Sequence, residues 1–114
     1  MTRWLAGLLF GCACALVQAQ EIPRAALPVE GREVMTQIEA GGPFAYKRDG
    51  VVFNNYEQRL PDRQRGYYRE YTVPTPGVTH RGARRIVCGG RETRRPDTCW
   101  YTADHYRSFR KIVE

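Results

Sequence analysis

Histidine is scarce in this 114-residue chain: His80 and His105 are its only two. No internal repeat, low-complexity tract or long linker interrupts it, so the length suits one small domain. It also lacks an apolar run fit for a permanent membrane span. The run from Leu5 to Val17 is too short, follows Arg3, and ends on small residues at Val17-Gln18-Ala19. Residues 1–19 therefore read as a signal peptide cut after Ala19, leaving residues 20–114 as a single exported domain without a membrane segment. A lipoprotein reading exists, since LFGC ending at Cys12 resembles a lipid-attachment box, although the apolar run before it is very short.

Cleavage would remove two of the four cysteines and leave Cys88 and Cys99. Two cysteines without CxxC spacing, plus two histidines, supply too few donors for a zinc site. In an exported domain the pair reads as a disulfide closing a loop of roughly ten residues, a contribution of about 2–3 kcal/mol. Acids are outnumbered: 17 bases stand against all 12 acids in residues 20–114, a net charge of +5. Almost all the bases are arginine, whose planar fork suits phosphate. Most read as ordinary surface, but the excess favours a polyanionic partner.

Pro23 and Pro28 make residues 20–28 irregular. From Val29 to about Ala40 the pattern is helical, with Val34 and Ile38 four apart beside Met35, and Gly41-Gly42-Pro43 ends it. No strong second helix follows. Strands are expected near 51–56, 66–73, 84–88, 98–102 and 107–112, separated by turn-rich segments. One amphipathic helix before closely spaced strands predicts an α+β fold, the helix packed on a twisted antiparallel sheet of about five strands. The opposite sheet face is then left open for function.

Within GYYREYTVPTPG, alternation puts Tyr68, Glu70 and Thr72 on one face; in RGARRIVCG it puts Arg85 with Val87 and Arg84 with Ile86. An antiparallel register can set Glu70 across from Arg85. The plain reading is a cross-strand ion pair worth about 0.2–1 kcal/mol. His105, in a turn-like ADH segment, can reach over the same face and suggests more. Glutamate, arginine and histidine together suit phosphodiester chemistry on RNA, which carries its own nucleophile in the ribose 2′-hydroxyl. Glu70 would be the general base and His105 the general acid, and Arg85 and Arg81 would stabilise charge gathering on phosphorus.

The runs GPFAYKRDGVVFNNYEQRLP, GYYREYTVPTPG, RGARRIV and WYTADHYRSF occur in an order and spacing that resembles the guanyl-specific microbial ribonucleases. The similarity is to the barnase and ribonuclease Sa type, closer to Sa. It runs over residues 43–112, and the matching runs cover most of the mature chain; in residues 20–42 only the helix position agrees. The resemblance implies the same roles for Glu70, His105, Arg81 and Arg85. It adds Glu57 as the carboxylate that reads guanine, accepting from N1–H and the exocyclic amine. Backbone amides from Asn54 through Asn55 to Tyr56 would serve O6, and Phe53 and Tyr106 would supply apolar surface near the base. Arginine is common in Sa-type enzymes where this chain has Tyr56, so a stacking contact takes its place.

The implied activity is a secreted, metal-independent endoribonuclease that cuts single-stranded RNA after guanosine through a 2′,3′-cyclic phosphate. No cofactor is implied, and the protein is expected to be a monomer. A small acidic inhibitor of the barstar type would suit the basic cleft. Competing readings are a two-histidine ribonuclease using His80 and His105, which lacks a suitably placed lysine, and a non-catalytic RNA-binding module. An exported antibacterial toxin on the same fold is a further alternative. His80 itself reads as an exposed loop residue.

Overall fold

The computed structural model describes residues 20–114. The proposed signal peptide, its cut after Ala19 and the Cys12 lipid box lie outside the described residues. Strand β1 (Glu21–Pro23) leads through a single 3₁₀ turn at Arg24–Ala26 into helix α1 (Val29–Ala40). Strands β2 (Tyr68–Thr72), β3 (Arg85–Gly89), β4 (Thr98–Thr102) and β5 (Arg110–Val113) follow. They form one five-stranded sheet in the order β1-β5-β4-β3-β2.

The helix has the bounds that the Val34/Ile38 spacing predicts. Its apolar side is Val34, Met35 and Ile38, all buried. Gly41 ends it in the left-handed region at φ 80°, where a Cβ would be strained, and its amide donates to the Ile38 carbonyl. The Gly42 amide reaches back to the Gln37 carbonyl, completing a Schellman-type stop.

The helix packs on the sheet face that carries Tyr71, Ile86, Cys88, Cys99, Tyr101 and Ile112, and together these form the main core. Cys88 and Cys99 are direct cross-strand partners on that face and are joined by a disulfide. Arg84 projects to this side too, donating to Glu30 of the helix at 3.1 Å and to the Pro74 carbonyl. Alternation at the start of β3 thus divides two neighbouring arginines: Arg84 ties down the helix and Arg85 takes the opposite face, where Arg81 arrives from the preceding loop.

Three sequence expectations are corrected. The segment 51–56 is not a strand; it touches the sheet through one isolated bridge, Val52 to Arg69, because Asn55 turns left-handed at φ 54°. The fifth strand is instead β1, inside the stretch expected to be irregular, and it pairs parallel to β5, so the sheet is mixed rather than wholly antiparallel. Its Pro23 is tolerated because β1 is an edge strand. Glu70 does not face Arg85 either: its partner is Val87, and Arg85 faces Thr72.

Candidate active site

The register builds the open face in rows. Thr72, Arg85 and Thr102 form one row across β2, β3 and β4, and Glu70, Val87 and Trp100 form the next. Glu70 and Arg85 are therefore diagonal neighbours on one face. Both are buried, with 6% and 2% of their surface exposed. Charges at that depth must be partnered.

Glu70 finds its cation outside the sheet. Arg81, in the loop before β3, donates to Glu70 Oε1 at 3.1 Å and to Thr72 Oγ1 at 3.0 Å. The Tyr106 hydroxyl donates to the same Glu70 oxygen at 3.1 Å. Arg85 is held by carbonyls: its Nη1 donates to Gly82 at 3.0 Å and to Arg84 at 2.8 Å, and its Nε donates to the Tyr106 hydroxyl at 3.2 Å. No carboxylate pairs with Arg85 among the described residues. Its charge remains available to an anion. Burial raises the Tyr106 hydroxyl above the usual phenol range, and the Glu70 charge adds to this, so it stays a hydrogen-bond donor.

His105 and Tyr106 sit in the β4–β5 loop, both left-handed, at φ 57° and 73°. Asp104 sustains this unusual backbone. Its carboxylate accepts from the Ser108 hydroxyl and amide and from the Thr102 hydroxyl, and Thr102 Oγ1 in turn accepts from the Tyr106 amide at 3.1 Å. These bonds, the Ser108 hydroxyl's first, lower the Asp104 carboxyl to about 2. The His105 amide donates to the Ala83 carbonyl at 3.0 Å, tying this loop to the one that carries Arg81. The exposed imidazole packs at a tilt of 53° against the Tyr106 ring, with centroids 4.9 Å apart, one ring away from the Glu70 carboxylate.

Beside this cluster lies a pocket of about 220 Å³ whose lining includes Phe53, Asn54, Asn55, Tyr56, Glu57 and the buried Glu70. Its floor is aromatic: Phe53 packs 5.2 Å from Tyr106 and 6.1 Å from Phe109. The Asn55 side chain faces the loop rather than the pocket's contents, donating to the Leu60 carbonyl at 3.0 Å and accepting from its amide at 3.2 Å. That double clasp holds residues 55–60 in their turn. Glu57 is exposed and paired with Arg59 at 2.6 Å, an interaction between loop residues that no strand or helix spacing predicts. His80 stays in an exposed turn, where its Nδ1 accepts from the Gly82 amide.

The structure thus brings Glu70, Arg81, Arg85, Tyr106 and Phe53 together, with Asn54 to Glu57 along one wall. Sequence reasoning missed Thr72 and Asp104, which position Arg81 and the His105 loop. Among the described residues no three His, Cys, Asp or Glu side chains converge as a metal site.

The ribonuclease family model matches residues 11–113. The chain belongs to the ribonuclease family. It is 49% identical over 87 residues to guanyl-specific ribonuclease Sa of Kitasatospora aureofaciens, covering 76% of this chain and 86% of that one. It is 51% identical over 87 residues to guanyl-specific ribonuclease Sa3 of the same organism, again over 76% of this chain but only 59% of Sa3, so it spans less than two thirds of that relative. Among solved structures of the family it resembles ribonuclease Sa2 in complexes with mononucleotides, with TM-score 0.76 and 41% identity over 82% of this chain and 93% of the other. It also resembles ribonuclease Sa2 with guanosine-2′-cyclophosphate, with TM-score 0.73 and 42% identity over 82% and 94%. The ribonuclease fold and the α+β architecture expected from the sequence agree.

Proposed function

We propose that this protein is an endoribonuclease cleaving single-stranded RNA after guanosine, through a 2′,3′-cyclic phosphate that is then hydrolysed to a 3′-phosphate. The observation that carries the reading is the buried Glu70 carboxylate, held by Arg81 and the Tyr106 hydroxyl in the lining of the pocket that Glu57 also borders. The relatives named guanyl-specific ribonucleases and the Sa2 complex with a guanosine cyclic phosphate support the same chemistry.

In the first step Glu70 takes the proton of the 2′-hydroxyl, O2′ attacks phosphorus, and the P–O5′ bond breaks. His105 gives its proton to the departing O5′. Charge gathering on the phosphoryl oxygens meets Arg85 and Arg81, whose guanidinium groups are fixed before substrate arrives. In the second step water takes the place that O5′ has left and attacks phosphorus as His105 takes its proton; the P–O2′ bond breaks and Glu70 returns a proton to O2′, leaving the 3′-phosphate. Glu57 reads guanine by accepting from N1–H and the exocyclic amine. Amides of Asn54 to Tyr56 serve O6, and Phe53 with Tyr56 covers the base.

A non-catalytic RNA-binding module is disfavoured, because it would have no use for a carboxylate buried beside its phosphate site. Export with cleavage after Ala19, action as a monomer, and capture by an acidic inhibitor of the barstar type complete the proposal. The test is to incubate the mature protein with defined oligoribonucleotides in EDTA and map the cuts. Cuts after guanosine ending in a cyclic phosphate are expected; a strict need for divalent ion, or cutting of DNA, would refute the mechanism.

A further inference from the structure

A second pocket, about 390 Å³ in volume, lies behind the recognition segment. It shares Phe53, Asn54, Asn55 and Tyr56 with the first pocket, so the two stand back to back across one stretch of chain. Its other wall is the loop before β2, including Asp62, Arg63, Gln64 and Arg65. The proposed reaction uses the shared stretch of chain but nothing of this other wall.

We infer that this pocket is a subsite for the nucleotide on the 5′ side of the recognised guanosine. The inference rests on the proposed function, which fixes the strand direction. The scissile phosphate, on the 3′ side of guanosine, must lie at Glu70, and Glu70, Tyr106 and Phe109 line the first pocket alone. The 5′ side of the strand therefore leaves past the opposite side of Phe53–Tyr56, where the second pocket opens.

Its chemistry suits a nucleotide. Arg63 and Arg65 pair with no carboxylate among the described residues. Arg63 is held instead over the face of Tyr67, 5.2 Å from the ring centroid, which steadies the guanidinium without neutralising it. Two arginine forks are thus free for the phosphate that joins the two nucleotides. Tyr56, which covers guanine with one face of its ring, belongs to both pockets, and at 83% exposed it leaves a second aromatic face for the neighbouring base to stack on. Asp62, Gln58 and Gln64 can accept or donate at a base edge. Stacking and phosphate contacts tolerate any base, so the subsite adds affinity for a longer strand rather than a longer recognition sequence.

The test compares GpC with ApGpC on the wild-type protein and on Arg63→Ala/Arg65→Ala, exposed-loop changes outside the proposed catalytic and guanine-reading groups. The wild type should cleave ApGpC with a kcat/KM about tenfold above that for GpC. Its log–log salt dependence should be steeper by about 0.7, the share of one further phosphate on a single strand. The double variant should lose both differences and keep wild-type cleavage of GpC. Equal rates for the two substrates in the wild type would overturn the inference, as would a double variant that keeps the gain. An equal loss on GpC and ApGpC would also overturn it, showing general electrostatic attraction instead. If neither substrate is cut after guanosine, the proposed function fails separately. The subsite is then decided by fluorescence titration with the deoxy analogues, of which the trinucleotide must bind the wild type more tightly and the double variant no better than the dinucleotide.

Discussion

The Tyr106 hydroxyl bridges Glu70 and Arg85, donating to the carboxylate at 3.1 Å while accepting from the guanidinium at 3.2 Å. Acid and arginine, diagonal across β2 and β3, are thereby joined through a third side chain instead of pairing directly. Tyr106→Phe removes both bonds and keeps the ring packed on Phe53. Hydrogen bonds to charged groups contribute about 1.5–3 kcal/mol, so kcat should fall on the order of ten- to a hundredfold with little change in KM. An unchanged kcat in single-turnover assays would show the bridge to be idle.

If Glu70 is the base and His105 the acid, the pH profile of cleavage is bell-shaped. Glu70→Ala should flatten the acidic limb and His105→Ala the basic limb, each at a cost of about 10²–10⁴-fold, with His105→Ala the more severe. Hydrolysis of guanosine 2′,3′-cyclic phosphate should need both residues, because their roles exchange. A Glu70→Ala enzyme with an intact bell would reduce Glu70 to a structural partner of Arg81.

Glu57→Gln should lose preference for guanosine while keeping the shape of the pH profile. The Arg59 partner makes a second comparison available. Arg59→Ala frees the carboxylate of an exposed ion pair worth under about 1 kcal/mol, so guanine preference should survive with at most a few-fold change in KM. Cleavage of GpC against ApC measures both.

Asp104 links acid stability to the loop that carries His105. Its carboxyl is lowered to about 2 in the folded protein, against about 3.9 for an unperturbed aspartate. Its contribution is therefore complete above pH 4 and is lost as pH falls through 2. Asp104→Asn should flatten the stability–pH curve between those values and cost about 1 kcal/mol at neutral pH. Urea unfolding at pH 2, 3, 4 and 7 reads the effect; parallel curves for variant and wild type would contradict it.

Reduction of Cys88–Cys99, which closes a short loop between adjacent strands, should cost about 3 kcal/mol without abolishing cleavage. Neither sulfur faces the site, since both lie on the helix side of the sheet. Loss of activity in a reduced sample that circular dichroism shows to be folded would contradict this placement.

Helix α1 and strand β4 were legible because local rules specify them: Val34 and Ile38 one turn apart with a glycine stop, and a short apolar run between turns. The face assignment of Glu70, Arg84 and Arg85 was legible too, because alternation along an extended chain is a property of the backbone itself. Strand β1 was not. It has three residues, one of them proline, and exists only because β5, about ninety positions later, offers it an edge. Residues 51–56 misled for the converse reason: Phe53 is apolar to pack on Tyr106 and Phe109, not to extend a ladder. Residue type and order by themselves determined which side chains could meet on the open face and what chemistry they suit. Only the tertiary structure decided that Arg81, not Arg85, neutralises Glu70, since register and loop closure are summed over contacts distant in sequence.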